Sequence, residues 1–457
     1  MGTLFFAVWF AVIVFSIAKA IDQRSKATTA WKLAAEELGL EHTPGNWVQR
    51  PSMCGQVGGL FVEVKEAQAN KSTHTVYTVR LPAPIPEDLK LSAETFLTQV
   101  SAQLGKGDLQ TGDEPFDAAV SIRGEDAEVL ARLTQPARRA LQSLIERGAK
   151  LESGRLELAL KSQATEAIEI LSAVKELVGA ARLFHLDWIS VPEALARNAA
   201  EDPEAQVRLR NLSMLFRDHP RTELARKAAA KALEDPEPAV RLRAAEFIPG
   251  TAASAVLKAL VGSDEEPWVR VEALRILSRQ CPYAEIADLV ALALRAHEEE
   301  EMRQEAVRAI ARGGDHSKVD ALVAMVDGSP PMLAEALAEA FGQLGSPRAE
   351  EALLRLLTHA SDGVRILAAQ ALGKIGTVRA VEPLLPLTRG LLGGELQESA
   401  RDAVRRIQGR LGDVEAGALA VVDDQGGALS LPAEEGAVAV VEGDDATRER
   451  SGERNSS

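Results

Sequence analysis

The phrase DPEAQVRLR at residues 202–210 returns 33 positions later as DPEPAVRLR at residues 235–243. The valine of this phrase, Val207, is followed by an apolar residue at a matching position every 29 to 33 residues. The seven positions selected in this way are Val207, Val240, Val269, Met302, Met332, Val364 and Leu396. A repeat of this length is typical of stacked helix pairs, in which each pair covers apolar surface of the next. The chain is therefore predicted to be mainly α-helical, with an α-solenoid of about seven helix pairs over residues 191–411.

Each copy also shows the period of one helix face. A small residue stands four positions after the repeated apolar one in every copy except the first, which has Asn211. Apolar residues at i, i+4 and i+8 lie on one stripe of a helix, and a small residue in the middle lets a neighbouring helix approach closely. These segments are predicted to be the second helices of the pairs. The small residues are Ala244, Ala273, Ala306, Ala336, Ala368 and Ala400.

The repeated phrase resembles HEAT repeats of the short bacterial kind found in proteins similar to phycobilin lyases. Three copies place an aspartate six residues before an arginine, and the run GKIG at residues 373–376 is similar to the phrase that ends helices in that family. The resemblance implies that these residues form a ladder of ion pairs between successive repeats. The aspartate and arginine of these three copies are Asp202 and Arg208, Asp235 and Arg241, and Asp264 and Arg270.

Later copies depart from the family pattern. Arg303 has no aspartate at the matching distance before it, and Leu333 and Gln397 occupy positions where the pattern has arginine. The ladder is therefore predicted to be interrupted in the fourth, fifth and seventh copies.

A stack of helix pairs exposes a continuous inner surface that is lined by its second helices, and such surfaces suit the binding of proteins. Basic residues are predicted at the solvent side of this stripe, where they would hold an acidic segment of a protein partner or of the chain's own tail. The alternative is a solvated face whose charge is balanced by Glu246, Glu272 and Glu305. The six predicted partner-binding residues are Arg210, Arg243, Arg275, Arg308, Lys374 and Arg406.

The first 18 residues contain no charged side chain, and LFFAVWFAVIVF at residues 4–15 is uninterrupted apolar sequence. Eighteen helical residues extend about 27 Å, close to the thickness of a bilayer core of about 30 Å. Residues 1–20 are therefore predicted to be a transmembrane anchor. Because Lys19, Arg24 and Lys26 follow the apolar run, the bulk of the chain is predicted to be cytoplasmic. The alternative is a cleaved signal peptide at 18–20, which would make the chain periplasmic or secreted.

Residues 27–190 are predicted to form a small α+β domain. Its expected elements are helices at 30–38, 135–147 and 166–184, two neighbouring antiparallel strands at 60–64 and 75–81, a strand at 116–122, and the alternating segment 156–160. No nucleophile, paired carboxylates or phosphate loop with the required neighbours is present in this region. The role of this domain is not indicated by its sequence.

Residues 412–457 contain eleven acidic residues against three arginines and are predicted to be a disordered acidic tail. Three cassettes of the form GA(L/V) begin at Gly417, Gly427 and Gly436 and are followed by acidic pairs. One hypothesis is that these cassettes add as strands to a sheet edge of the middle domain or of a partner. The alternative is a linker that does not dock.

The charge and the few reactive residues limit the possible functions. A net charge of −15 argues against general nucleic-acid binding, which needs an excess of Lys and Arg. The only cysteines, Cys54 and Cys281, have no CxxC or metal-ligand spacing, so no metal, cofactor or small-molecule substrate is expected. The preferred interpretation is a membrane-anchored, non-enzymatic scaffold or adaptor that binds proteins.

Two other functions are consistent with the sequence. One is a lyase-like enzyme or a cofactor-handling assistant built on HEAT-like repeats, although the histidines of the array do not cluster by repeat position. The other is an envelope assembly or stress factor with the array outside the cytoplasm. The histidines are His219, His297, His316 and His359.

Overall fold

The computed structural model describes most of the chain between Phe15 and Gly412, and the chain divides into two compact units, Met1–Leu257 and Lys258–Ser457. Each unit is described by itself. The described residues are 15, 22–45, 49–69, 72–82, 85, 88–94, 109–124, 126–161, 163–186, 189–295, 298–389 and 394–412.

The first unit begins with helix α1 at residues 22–38 and contains an eight-stranded sheet in the order β1-β2-β3-β4-β8-β7-β5-β6. Every strand pair of this sheet is antiparallel. The strands are β1 (Glu41–Thr43), β2 (Ser52–Val57), β3 (Leu60–Ala69), β4 (Ser72–Arg80), β5 (Lys90–Ala93), β6 (Val120–Arg123), β7 (Ala149–Glu152) and β8 (Arg155–Leu160). Its sheet-associated helices are α2 (Glu114–Ala119), α3 (Asp126–Arg132), α4 (Gln135–Glu146) and α5 (Ala167–Phe184).

The sheet and its helices share one hydrophobic core. Trp31 of α1, Tyr77 of β4 and Phe184 of α5 are all fully buried in it. Residues at helical spacing along α5, from Ile170 to Ala181, are buried in the same core, because the apolar residues of that helix fall on one face. The predicted pairing of β3 with β4 is present, with Val62 opposite Val79.

The predicted strand at 116–122 is wrong in its first half. Residues Glu114–Ala119 form α2, and the strand β6 starts only at Val120. Asp113 is the N-cap of this helix and accepts a hydrogen bond from the amide of Phe116 at 3.3 Å, while Pro115 occupies the first turn. An aspartate cap followed by an early proline starts a helix, and this signal outweighs the alternation that suggested a strand.

Four helices of the array follow in the first unit, and a fifth crosses the boundary between the units. The capping box of Ser190 and Glu193 starts α6, because the Glu193 carboxylate accepts hydrogen bonds from the Ser190 hydroxyl and amide. These hydrogen bonds lower the pKa of Glu193. The helices are α6 (Val191–Glu201), α7 (Ala205–Asp218), α8 (Glu223–Ala232), α9 (Pro238–Phe247) and α10 (Thr251–Val261).

The second unit consists of helices, with short 3₁₀ turns before several of the first helices. The second helices α11, α13, α15, α17 and α19 pack on one another in series, as stacked repeats require. The helices are α11 (Pro267–Gln280), α12 (Ala287–Ala293), α13 (Glu300–Gly313), α14 (Val319–Val323), α15 (Pro331–Leu344), α16 (Glu350–Leu356), α17 (Asp362–Ile375), α18 (Val381–Leu384) and α19 (Glu395–Gly412).

The predicted stripe is present on the second helices of both units. The small position is fully buried in all seven copies, including Asn211, whose amide nitrogen donates to the carbonyl oxygen of Val207 at 2.9 Å. One selected position is displaced: Met332 is 53% exposed, and the neighbouring Leu333 is buried instead. The prediction of paired helices over the array is otherwise confirmed.

The prediction of a transmembrane helix is corrected, and the predicted single-pass membrane localisation is corrected with it. Within the described part of the chain, no helix combines the length and the apolar character that crossing a membrane requires. Helix α1 carries six charged side chains in 17 residues, which is far too polar for a bilayer core. Within the predicted segment 1–20, only Phe15 belongs to the described residues. The charged side chains of α1 are Asp22, Arg24, Lys26, Lys32, Glu36 and Glu37.

The predicted acidic tail and its cassettes also lie outside the described residues, which end at Gly412. The disorder and the strand addition proposed for residues 413–457 stay predictions.

Candidate functional site

The six predicted partner-binding residues all lie on second helices. Four of them are exposed, namely Arg210, Arg243, Lys374 and Arg406, and the other two, Arg275 and Arg308, are half-buried. The structure places five of the six in the lining of clefts, which are described unit by unit below.

In the first unit, a cleft of about 380 Å³ runs beside α7, and we name it the Arg210 groove. It brings together the predicted residues Arg210 and Arg243, and its walls also carry the apolar side chains of Leu130, Leu209 and Met214. The groove thus combines apolar and cationic side chains. The complete lining is Leu109, Gln110, Asp126, Leu130, Gln206, Leu209, Arg210, Ser213, Met214, Arg217 and Arg243.

The arginines of this groove are held to different degrees. Arg217 contacts Asp218 at 2.7 Å and Asp126 at 3.1 Å, and these hydrogen bonds raise the pKa of Arg217 and lower that of Asp218. Arg243 pairs with Glu246 at 2.9 Å. Arg210 forms no ion pair with any described residue. It is therefore the cation of the groove that is most available to a bound carboxylate.

Aromatic stacking supports Arg243. Its guanidinium lies 5.7 Å from the ring centroid of Phe247, and that ring stacks on Phe216 with centroids 4.2 Å apart and planes 5° from parallel. A guanidinium over an aromatic face keeps its outer N–H groups directed to solvent.

In the second unit, Glu305 of α13 is buried among arginines, and we name this group the Glu305 cluster. Arg275 Nε lies 3.4 Å and Arg308 Nη1 lies 3.9 Å from Glu305 Oε2, and Arg312 binds Oε1 of the same carboxylate. Arg312 also donates to the hydroxyl of Ser278 at 2.6 Å. The alternative of charge balance by glutamates is therefore realised at all three of them, since Glu246 pairs with Arg243, Glu272 pairs with Arg275, and Glu305 lies among three arginines.

A cleft of about 270 Å³ adjoins this cluster between α13 and α15. The predicted residue Arg308 and also Arg312 stand at its edge, and its lining includes three alanines. The complete lining is Arg308, Ala311, Arg312, Ala336, Glu339, Ala340 and Gln343.

The remaining two predicted residues, Lys374 and Arg406, line a cleft of about 590 Å³ between α17 and α19. Three acidic side chains line the same cleft, and one of them, Asp402, pairs with Arg405 at 3.2 Å and with Arg406 at 3.5 Å. Its cationic character is accordingly weaker than that of the Arg210 groove.

The first unit contains one rung of the ladder that the family resemblance implies, between the arginine of the first copy and the aspartate of the second. Arg208 binds Asp235 through two hydrogen bonds of 2.7 Å, and its Nη1 donates to the carbonyl oxygens of Asp202 and Pro203. The second unit contains a rung at the fourth copy, where the sequence predicts an interruption, because Arg270 binds Glu298 at 2.9 Å. The sequence signal for this rung is a glutamate five residues before Arg303.

The structure also bears on metal binding and on the two cysteines. Among the residues that the structure describes, no three His, Cys, Asp or Glu side chains are grouped so that they could hold a metal ion. Cys54 and Cys281 are both half-buried free cysteines.

Comparisons with known proteins agree with the repeat assignment. The family model described as HEAT repeats matches residues 253–340 and 319–405. No curated protein matches the chain. Residues 253–405 are thus assigned by two independent observations, the family match and the serial packing of the second helices.

Three solved structures illustrate the resemblance in fold. The complex of CpcE and CpcF of phycocyanin lyase from Nostoc sp. PCC7120 is 17% identical over 47% of this chain and 94% of that chain, with a TM-score of 0.31. Human deoxyhypusine hydroxylase in complex with glycerol is 17% identical over 48% and 96%, with a TM-score of 0.25. An engineered protein is 19% identical over 68% and 94%, with a TM-score of 0.35. These values support no inference about activity, and the chain is identified as one that carries HEAT repeats in an α-solenoid.

Proposed function

We propose that this chain is a non-enzymatic adaptor whose second-helix surfaces bind an acidic segment of a partner protein. The observation that carries the proposal is the Arg210 groove, in which an arginine that forms no ion pair with the described residues lies beside apolar side chains. Arginine and methionine are enriched at the centres of protein interfaces, where a guanidinium binds a carboxylate while apolar neighbours exclude water.

Charge supports an acidic partner segment. The chain as a whole carries a net charge of −15, yet the lining of the Arg210 groove contains three arginines and one carboxylate, that of Asp126. A local positive potential on an acidic protein steers acidic groups to that place and disfavours binding elsewhere.

Site-directed photocrosslinking tests the proposal in cells that produce the protein naturally. A photoreactive amino acid at Ser213, in the lining of the Arg210 groove, should give a discrete adduct with a partner protein. The matched control is the same amino acid at Lys227, which is exposed on the first helix α8 and does not line the groove. Mass spectrometry then maps the crosslinked peptide, and we expect Asp or Glu beside an apolar residue.

Replacement of Arg210 by Glu should abolish the Ser213 adduct. Adducts of equal yield at Ser213 and Lys227 would show that the groove has no preference and would contradict the proposal. The same holds if Ser213 gives no adduct while the purified chain consumes a metabolite from a cell extract, since that result would favour an enzyme.

A further inference from the structure

The Glu305 cluster has an unusual balance of charge for a buried carboxylate. The side chain of Glu305 is 2% exposed, whereas the side chains of Arg275, Arg308 and Arg312 are 42%, 33% and 35% exposed. Glu272, which pairs with Arg275, also faces Arg279 at 3.8 Å. The four guanidinium groups and the two carboxylates paired with them carry a net charge of +2, and Glu339 in the lining of the adjoining cleft lowers the charge of the whole surface to +1.

The arginines retain free donors on their solvent side. A guanidinium has five N–H groups, and Arg308 uses only the longest contact of the cluster, at 3.9 Å. Arg312 directs one nitrogen to Glu305 and Ser278 and stands, with Arg308, at the edge of the adjoining cleft of about 270 Å³. This volume is below the range of pockets for whole small molecules and suits one side-chain group.

We propose that the Glu305 cluster binds a phosphorylated side chain of a partner protein. A phosphomonoester carries a charge of about −1.5 to −2 at neutral pH and offers three acceptor oxygens, which suits a cationic surface with several free guanidinium donors. A single carboxylate offers less negative charge and only two acceptor oxygens to the same donors. This inference rests on the proposed function, because it specifies one chemical group that the adaptor recognises.

Glu305 acts in this proposal as a positioning residue. A buried carboxylate between two helices fixes three long side chains in one arrangement, so that less side-chain entropy is lost when a ligand binds. Glu305 therefore favours the binding of an anionic ligand, although its own negative charge lowers the positive charge of the surface. Removing its negative charge makes the surface more positive but releases the arginines from their common anchor.

The experiment measures the binding of three peptides to the full chain by fluorescence anisotropy. The probes are the peptide Ala-Ala-Ser-Ala-Ala-Gly with a phosphoserine, its unmodified form, and the form with Glu in place of the phosphoserine. We expect the phosphopeptide to bind at least about tenfold more tightly than either of the others, since hydrogen bonds to charged groups are each worth about that factor. The affinity should fall with added salt.

Variants separate positioning from bulk charge. Arg308→Gln and Arg312→Gln should each weaken phosphopeptide binding about tenfold, as expected for the loss of one charged donor. Glu305→Gln should also weaken it, although it removes a negative charge. The matched control is Glu339→Gln, an exposed residue in the lining of the same cleft, which should strengthen binding slightly. Thermal melts establish whether each variant is folded. If Glu305→Gln does not fold, Arg308→Gln still tests the proposal.

Several outcomes would overturn the inference. The first is equal binding of the phosphopeptide and its unmodified form. The second is unchanged phosphopeptide binding by Arg308→Gln, or stronger binding by Glu305→Gln. The third is binding of inorganic phosphate as tight as that of the phosphopeptide, because that result would assign the site to the free ion. The Ser213 crosslink lies in the first unit and does not use this cluster. Failure of phosphopeptide binding with a retained Ser213 adduct therefore rejects the phosphate site and leaves the adaptor proposal standing.

Discussion

Arg138 and Asp202 are 64 residues apart in the sequence and form a buried ion pair with two hydrogen bonds, Nη1 to Oδ2 at 2.8 Å and Nη2 to Oδ1 at 3.0 Å. Their side chains are 1% and 2% exposed. Arg138 Nε also binds Asp113 Oδ2 at 2.6 Å, and its Nη1 donates to the carbonyl oxygen of Leu133. One guanidinium thus joins the start of α4, the N-cap of α2 and the first repeat.

This contact has the form of a ladder rung. Arg138 is the fourth residue of α4, as Arg208 is the fourth residue of α7, and both donate Nη1 to a carbonyl oxygen of the preceding loop. Each also binds an aspartate in the loop that precedes a later second helix, Asp202 for Arg138 and Asp235 for Arg208. Helix α4 of the sheet domain therefore supplies the rung that precedes the first repeat and caps the array at that end.

Replacement of Arg138 by Ala should lower the free energy of unfolding by about 3 to 5 kcal/mol, the cost of leaving buried charges without their partner. The matched control is Arg139→Ala, because Arg139 is the next residue of α4 and is exposed. Urea unfolding followed by circular dichroism measures both. A loss below about 1 kcal/mol for Arg138→Ala would show that the pair contributes little to the fold.

The ladder itself predicts a similar contrast between buried and exposed ion pairs. Arg208 and Asp235 have side chains 10% and 8% exposed, whereas Arg226 and Glu223 of α8 are 62% and 64% exposed. Arg208→Ala should therefore cost about 3 kcal/mol, and Arg226→Ala less than about 1 kcal/mol. Equal losses in the two variants would contradict a stabilising role for the ladder. The measurement is again urea unfolding.

The repeats could be predicted from the sequence because local spacing encodes them. The small position is fixed by the close approach of two helices, and it is buried in all seven copies. The rung of Arg270 could be predicted only in part. The family pattern has aspartate, and the glutamate Glu298 was not recognised as its substitute, although a side chain longer by one methylene can reach the same arginine from one residue nearer.

The long-range contacts could not be predicted, because they leave no periodic pattern in the sequence. The partners of Arg138 lie 25 and 64 residues away, so the capping role of α4 appears only when the chain is folded. The Glu305 cluster combines residues 30 positions apart on two helices, and the sequence indicated Glu305 only as a balancing charge. The apolar composition of residues 4–15 predicts a membrane span, but the described residues of the structure contain no helix that could cross a membrane.

Two glycines in helices should respond to substitution in opposite directions. A Cβ on Gly313, at the end of α13, would overlap the ring of Tyr283, so the ring would have to move. Gly313→Ala should destabilise the chain by about 1 to 3 kcal/mol, the usual cost of overpacking. Gly179 lies inside α5 with nothing within 4 Å of a Cβ, and Gly179→Ala should stabilise it by about 0.5 to 1 kcal/mol. Thermal denaturation distinguishes the signs, and stabilisation by both substitutions would contradict the contact with Tyr283.

Acid should selectively weaken the turn that begins at Asp315. Its carboxylate accepts hydrogen bonds from the hydroxyl of Ser317 at 2.6 Å and from the amide of Ser317 at 3.0 Å, and these contacts, with Tyr283 and Lys318, lower the pKa of Asp315. A lowered folded-state pKa contributes stability that is present above the unfolded value of 3.8 and is lost as the pH falls through the folded value.

Asp315→Ala should therefore cost about 1 kcal/mol at pH 7, the typical value of an N-cap, and the difference from the unsubstituted chain should shrink as the pH falls below 3.8. Asp315→Asn is the control, because the amide oxygen can still cap the turn but does not titrate, so its difference from Asp315→Ala should not change with pH. Urea unfolding between pH 7 and pH 3 measures all three chains. A penalty for Asp315→Ala that grows toward acid pH would mean that protonation favours the folded turn, which these hydrogen bonds do not allow.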